Sequence, residues 1–435
     1  MLLLFLVLLS VLLTFMIWNY EPDYKFLEKP KVDHVMISNE KEVDEIIKPY
    51  KLIYKQENLL GTVSNTTIDQ LIQSLKKIEL SNIVYKESNI TSNRINEILI
   101  NPNNLTLFFA TDIPLHAFDK ILKFKQQSEL PNIYINRLVI NLQNANGDGE
   151  GELLFISTNN KTIYSANVRN AEIKELYNLI QEQKENMFVY EEFEREGNLS
   201  LYLTKERQDV IQFTYFIDEF PHELFNSVLF TNPSIVQKTM EISGDTVLEK
   251  YSDDIAVVIY DTNSKIMNYV SLAANRYVSL DATSLLKNTI EYVNDHGGFT
   301  ADYRLSTINE SSNIVEYQMY FQGYPVYSTS TLTRIVTTWG NEQINRYRRP
   351  YFSLDTDITT VKTVKEILSG EEVVSYLQNQ NLSNLKVDEV FVGYHLEKDP
   401  STNVFVLEPS WFALSEGNWI RITTDLVGGT ANGLE

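Results

Sequence analysis

The chain opens with an apolar stretch, MLLLFLVLLSVLLTFMIW, whose 18 residues include eight leucines and no charged side chain. A helix of this length spans about 27 Å at about 1.5 Å per residue, close to the roughly 30 Å hydrocarbon thickness of a bilayer. Trp18 and Tyr20 lie at its end, where aromatic rings favour the membrane interface, and Pro22 ends the helix. Residues 1–20 are therefore predicted to form a transmembrane anchor.

A cleaved signal peptide is the competing interpretation of this stretch. Signal peptides have a shorter apolar region and small residues before the cleavage site, whereas this one ends in FMIWNYEP. We therefore expect an uncleaved, single-pass anchor in the cell membrane, with the bulk of the chain extracytoplasmic. No Lys or Arg precedes the apolar stretch, so the positive-inside rule gives little information on the orientation of the anchor. Lys25, Lys29 and Lys31, which follow it, argue against the expected orientation.

One face of the predicted anchor carries hydroxyl side chains. Ser10 and Thr14 are four residues apart, and this spacing permits close contact between helices in lipid. The alternative is that both hydroxyls bond only to their own backbone. The predicted partner-helix face consists of Val7, Ser10, Thr14, Ile17 and Trp18.

The composition excludes several classes of function. With 58 Asp and Glu against 37 Lys and Arg, the formal net charge is −21, so the surface repels phosphate backbones and no nucleic-acid partner is expected. The sequence contains no cysteine, which excludes disulfides, thiolate nucleophiles and Cys-ligated metal sites. Val, Ile, Thr and Tyr are frequent beyond the apolar stretch and favour strands.

Beyond the anchor, the pattern predicts an α+β protein with three extracytoplasmic domains. Helical spacing at residues 282–294 and 370–380 is in each case followed by three strand-like runs, which indicates two helix-plus-meander units. A charged stretch that carries Pro22, Pro30 and Pro49 is interpreted as a stalk. The predicted boundaries are 21–49 for the stalk, 50–195 for an N-terminal domain, 196–280 for a central α+β domain and 281–435 for a C-terminal α+β domain.

Catalytic and metal-binding motifs are weak or absent. The sequence has no G-x-S-x-G, Walker A or G-x-G-x-x-G motif. The run NANGDGEG at 144–151 imitates the start of a calcium loop, but Phe155 stands where the bidentate Glu is needed. A hairpin turn explains the run better. No catalytic residue, metal ligand or cofactor is predicted.

Two Asp–His pairs allow two interpretations. Asp112 precedes His116 by four residues, and Asp218 precedes His222 by four. That spacing would place two metal ligands on one helix face. The simpler interpretation, which we favour, makes each Asp the N-cap of a short helix.

Two further motifs remain. NDHGGF at 294–299 is expected to end the preceding helix, because its glycines accept positive φ; the alternative is an oxyanion hole in a hydrolase that uses His296.

The basic run RYRRP contrasts with the acidic background. Arginine beside tyrosine can dock an acidic partner, so Arg346, Tyr347, Arg348 and Arg349 are a candidate docking patch. The solvated face of a strand is the more common explanation of such a run.

Five features in this order resemble the YycH (WalH) family of low-GC Gram-positive bacteria. They are the anchor ending LLTFMIWNYEPDY, HGGF with DYRL shortly after it, QGYP, TTWG and YRR. No single motif is specific, but their order and spacing are, and the resemblance covers essentially the whole chain.

The resemblance implies a non-enzymatic, membrane-anchored regulator of signal transduction. Members of the family act with YycI on the essential sensor histidine kinase WalK (YycG), partly through transmembrane helices, and so influence the response regulator WalR and cell-wall metabolism. The resemblance also implies that the last two domains are similar to YycI. The alternatives are a membrane-anchored cell-wall hydrolase and an envelope module that binds an anionic ligand.

Overall fold

The computed structural model describes residues 9–10, 38–125, 130–143, 145–147, 149–244, 246–274, 278–340, 343–354, 363–379, 387–399, 402, 404–415 and 417–423. Of the predicted partner-helix face, Ser10 is helical, whereas Val7, Thr14, Ile17 and Trp18 lie outside the described residues. Within these ranges, no helix is both long enough and apolar enough to cross a bilayer.

The N-terminal half of the described chain forms a ten-stranded sheet in the order β10-β9-β2-β1-β4-β6-β7-β8-β3-β5. Neighbouring strands are antiparallel, except that β3 and β5 are parallel. The strands are β1 Lys51–Lys55, β2 Leu59–Thr62, β3 Glu79–Ser88, β4 Asn104–Pro114, β5 Lys123–Phe124, β6 Tyr134–Asn141, β7 Glu150–Ser157, β8 Thr162–Arg169, β9 Phe188–Phe193 and β10 Leu201–Thr204.

Helices cover both faces of this sheet. The helices of this half are α1 Val43–Ile46, α2 Asn65–Leu75, α3 Ser92–Leu99 and α4 Asn170–Gln183, with 3₁₀ helices at Leu115–Lys120 and Lys184–Asn186. α2 begins where the Ser64 hydroxyl accepts a hydrogen bond from the Thr67 amide, and its apolar stripe is almost fully buried against the core. Because side chains alternate along a strand, Leu138 faces the α2 and α4 side while Val139 faces α3.

The C-terminal half of the described chain forms a second, larger sheet. Its main path is β13-β14-β15-β16-β21-β20-β18-β19-β24-β25-β11-β23, with β17 paired to β18 and β26 paired to β25. The strands are β11 Gln208–Phe216, β12 Asp218–Glu219, β13 Gln237–Ser243, β14 Thr246–Ser252, β15 Ala256–Asp261, β16 Ile266–Ser271, β17 Asp302–Asn309, β18 Ile314–Phe321, β19 Tyr324–Tyr327, β20 Arg334–Trp339, β21 Ile344–Pro350, β22 Phe352–Ser353, β23 Thr363–Ile367, β24 Val387–Lys398, β25 Val404–Ser415 and β26 Asn418–Ile422; β12 and β22 pair separately.

Helices also pack against this second sheet. They are α5 His222–Leu229, α6 Ala282–Asp295 and α7 Gly370–Asn379, with a 3₁₀ helix at Pro233–Ile235. The helices predicted at 282–294 and 370–380 are thus confirmed as α6 and α7. Asp281 caps α6 by accepting a hydrogen bond from the Ser284 amide at 3.0 Å. The resulting fold is mixed helix and sheet, as predicted.

The sheets do not follow the predicted domain boundaries closely. The first sheet ends at Thr204 and the second begins at Gln208, whereas the sequence placed a boundary at 195. The boundary predicted at 280 falls within one continuous sheet, because β16 pairs directly with β21. Residues 35–435 form one compact unit.

The local predictions around the Asp–His pairs were wrong. The 3₁₀ helix after β4 has Pro114 at its N-cap, and α5 has Pro221, in both cases without a side-chain cap. The Asp112 carboxylate instead accepts hydrogen bonds from Ser157 at 3.2 Å and Asn159 at 2.9 Å. Among the described residues, no group of three His, Asp or Glu side chains could hold a metal ion.

Candidate functional site

Strand β21 carries the basic run RYRR and divides it between two faces. Tyr347 and Arg349 are fully buried, whereas Arg346 and Arg348 are exposed. This is the alternation that any strand imposes on successive side chains. Tyr347 and Arg349 therefore belong to the core, and only Arg346 and Arg348 of the candidate docking patch are available to a partner.

The buried pair holds the turn after α6. The Arg349 guanidinium donates hydrogen bonds to the Gly298 carbonyl at 2.8 Å and to the Thr300 hydroxyl at 2.9 Å. The Cζ of Arg349 lies 5.0 Å from the centre of the Phe225 ring. The Tyr347 hydroxyl donates to the His296 carbonyl at 3.2 Å. These contacts compensate for burying the charge, so Arg349 is part of the core.

The exposed pair belongs to a broad open surface. Cross-strand pairing places Arg348 beside Asn268 and Val336, and Arg346 beside Val270 and Thr338. Two such rows cross β14, β15, β16, β21, β20 and β18, and every member is at least partly exposed. We call this surface the open basic face, and Arg334 lies at one edge of it. Its first row is Lys250, Ile259, Asn268, Arg348, Val336 and Glu316. Its second row is Ser252, Val257, Val270, Arg346, Thr338 and Ile314.

The opposite face of the same strands is packed. Val258, Met267 and Thr337 are fully buried, and helices lie against this side: the His222 ring of α5 stacks on Tyr260 at 3.8 Å, and the Trp339 indole N–H donates to the Thr289 hydroxyl of α6 at 2.8 Å. Antiparallel sheets commonly have one face on the core and one in water. The open basic face is the wet side of such a sheet.

A second cluster of charges joins the two sheets. The Lys51 ammonium of β1 lies 3.3 Å from the Glu389 carboxylate of β24, and its side chain is only 3% exposed. The Tyr50 hydroxyl donates to the other carboxylate oxygen at 2.9 Å. The Lys51 ammonium also lies 4.9 Å from the centre of the Phe108 ring. We call Tyr50, Lys51 and Glu389 the junction cluster.

Burial and charge act against each other in the junction cluster. Burial lowers the pKa of Lys51, and the nearby Glu389 carboxylate opposes that shift. Burial alone would raise the pKa of Glu389. The charges of Lys51 and Arg137, with hydrogen bonds from Tyr50 and Lys51, instead hold that pKa below its usual value. Both groups therefore interact most favourably as an ion pair, which binds the N-terminal sheet to the C-terminal one.

The predicted helix stop NDHGGF is confirmed. Gly297 has φ of +102° and Gly298 has φ of +67°, and the Gly298 amide donates to the Val293 carbonyl at 2.7 Å. The His296 ring stacks on Tyr292 at 3.8 Å, and its Nδ1 lies 2.7 Å from the Tyr292 carbonyl oxygen. His296 is thus held against its own helix.

Comparison with known proteins covers both halves of the chain. The profile of the YycH protein N-terminal domain matches residues 1–187, and that of the YycH protein C-terminal domain matches residues 198–427. The chain belongs to the YycH family.

Individual relatives agree with this assignment. The chain is 23% identical, over 454 aligned residues, to the two-component system WalR/WalK regulatory protein YycH of Bacillus subtilis (strain 168), covering 99% of this chain and 97% of the relative. The crystal structure of YycH from Bacillus subtilis superposes with a TM-score of 0.75 at 20% identity, covering 90% of this chain and all of that one. The YycH fold is therefore shared along almost the whole chain.

Sequence reasoning missed most of both clusters in this YycH-family protein. The open basic face that surrounds Arg346 and Arg348 is built from β14, β15, β16, β18 and β20 as well as β21. No local sequence motif therefore identifies it. Lys51 and Glu389 are separated by 338 residues, and neither stands in a pattern typical of a site. Period-two alternation in INRYRRP was the one signal that could have separated Tyr347 and Arg349 from the exposed pair.

Proposed function

We propose that this protein is a non-enzymatic, membrane-anchored regulator of the sensor histidine kinase WalK (YycG) that acts together with YycI. The observation that carries the proposal is similarity along 99% of the chain to a protein described as a WalR/WalK regulatory protein. Family membership in both halves supports the same conclusion.

The proposed mechanism couples an anchor in the bilayer to an extracytoplasmic body. The apolar stretch at residues 1–20 lies beside partner helices, and the Ser10 and Thr14 face permits close approach. The body acts as one compact unit, with the two sheets joined at Lys51 and Glu389. Such a regulator shifts the kinase between states only if it contacts those states with different free energies.

The anchor can be tested by substitution in cells. The full chain carrying Ser10→Val and Thr14→Val is compared with a control carrying Leu8→Val and Leu12→Val, which helical spacing predicts on the opposite face of the anchor, at equal protein levels. Transcription that depends on WalR is the readout. We expect the first pair to change the output and the control pair to leave it near the parent level. Equal output from all three chains, and from a chain with an unrelated span in place of residues 1–18, would remove the anchor from the mechanism.

A further inference from the structure

The open basic face is unusual because of the protein that carries it. The chain as a whole has a net charge of −21, yet this face presents Lys250, Arg334, Arg346 and Arg348 on one side of one sheet. Glu316 is the carboxylate within its two rows. An acidic partner is therefore repelled by the whole protein at long range but attracted by this face at short range.

Three of these four cations have no partner among the described carboxylates. Arg334 lies 2.7 Å from Glu316, whereas Lys250, Arg346 and Arg348 have no described carboxylate oxygen within 4.0 Å, although the protein forms many ion pairs elsewhere. Arg346 and Arg348 are two positions apart on β21, so their α-carbons are about 7 Å apart. That spacing matches two carboxylates one turn apart on a helix, about 6 Å.

Aliphatic side chains separate the charges. Val257, Ile259, Val270 and Val336 are half-buried within the same two rows. Covering them with an apolar surface would remove them from water and stabilise a complex. An anionic headgroup layer or a soluble polyanion offers charge at its surface but no such apolar cover. A protein segment supplies both kinds of group.

The architecture indicates what form that segment takes. The packed side of this sheet is covered by helices, through His222 of α5 and Thr289 of α6. A sheet buries a face by adding another layer. We propose that the open basic face docks an acidic amphipathic helix of a partner protein, with carboxylates on Arg346 and Arg348 and its apolar stripe on Val257, Ile259, Val270 and Val336.

A second copy of this chain fits the face less well. Two chains that each carry a net charge of −21 repel one another at moderate ionic strength. The partner is defined by its chemistry and not by its identity, so docking on this face is independent of kinase regulation.

The test uses the full chain in detergent micelles and a synthetic helix as the probe. The probe has about 18 residues, enough for a helix on binding, with Leu along one stripe and Glu at i, i+4 beside it. Fluorescence anisotropy measures its Kd for the parent, for Arg346→Glu with Arg348→Glu, and for a control with Arg94→Glu and Arg169→Glu. The control arginines are also exposed, and each pairs with a glutamate. Both double variants replace two arginines with glutamates, so both change the net charge equally.

We expect the Arg346 and Arg348 variant to weaken binding at least ~10-fold while the control stays within about twofold, because the loss of a local charge pair exceeds that of net charge. Equal weakening in both variants would overturn the proposal, as would unchanged binding. Binding of a scrambled probe, polyglutamate or phosphatidylglycerol vesicles as tight as that of the helix would also overturn it. So would a dimer that sedimentation shows only for the parent, since the occupant would then be a second copy.

Discussion

Asn294 and Lys41 exchange two hydrogen bonds although 253 residues separate them. The Lys41 amide donates to the Asn294 side-chain oxygen at 3.0 Å, and the Asn294 side-chain nitrogen donates to the Lys41 carbonyl at 3.0 Å. The motif that ends α6 therefore also holds the segment before α1. That segment lies within residues 21–49, the stretch predicted as a stalk, so NDHGGF fastens that stretch to the C-terminal half of the body.

The first prediction concerns this pair of bonds. Asn294→Ala leaves the backbone N–H and carbonyl of Lys41 without their partner, and we expect a cost of about 1–3 kcal/mol in the free energy of unfolding. Hydrogen exchange should be faster at the amide of Lys41 than in the parent. Asn288→Ala, a half-buried position on the same helix, is the control and should change the exchange of Lys41 little. Unchanged exchange at Lys41 in Asn294→Ala would show that the segment is held by other contacts.

The second prediction separates two costs at Gly298. A Cβ at Gly298 would clash with the Ser38 hydroxyl oxygen, and the φ of Gly298 is +67°. Gly417 has φ of +80° with nothing within 4 Å of such a Cβ. Gly417→Ala should therefore cost only the backbone strain, about 1–2 kcal/mol, whereas Gly298→Ala should cost more because Ser38 must move. Thermal unfolding measures both, and equal losses would mean that Ser38 shifts freely.

The elements that could be predicted from sequence are those with local causes. Helical spacing and a cap at Asp281 identify α6, and the glycines after it predict where it stops. The caps proposed at Asp112 and Asp218 failed because β4 continues to Pro114 and Asp218 itself pairs in β12. An N-cap prediction depends on where the strand ends, and tertiary pairing decides that.

The long-range elements could not be predicted for a different reason. The junction cluster joins β1 and β24, which lie far apart in the sequence. A single sequence does not show which distant strands meet in the fold. The same holds for the open basic face, where β21 lies between β16 and β20. Only the alternation of side chains along β21 could be predicted from the sequence. That alternation would have assigned Tyr347 and Arg349 to the core.

The third prediction is a double-mutant cycle on the junction cluster. Removing one partner of a buried ion pair leaves an uncompensated charge and typically costs about 3–5 kcal/mol. Lys51→Met and Glu389→Gln should each destabilise the fold strongly, and the double variant should lose clearly less than the sum of the two. Denaturant unfolding of all four chains gives the coupling. Additive losses would show that Lys51 and Glu389 do not stabilise one another.

The fourth prediction gives the pH dependence of the same cluster. The pKa of Glu389 is held below its ordinary value by the charges of Lys51 and Arg137, so the folded state binds its proton less readily than the unfolded state. The stabilisation is therefore present above about pH 4.5 and is lost as the pH falls through the folded pKa. Glu389→Gln should flatten this acid limb in a titration of unfolding free energy. A limb of unchanged steepness in the variant would assign the acid sensitivity to other carboxylates.

The last prediction tests the expected topology of the chain in the membrane. The sequence has no cysteine, so a single introduced thiol is a unique label. Glu57 is exposed in the turn between β1 and β2, and replacing it should not disturb the core. If the body lies outside the cell, Glu57→Cys should react with a membrane-impermeant maleimide in intact cells, and the cysteine-free parent should not. Labelling that appears only after permeabilisation would place the body in the cytoplasm, where Lys25, Lys29 and Lys31 would satisfy the positive-inside rule.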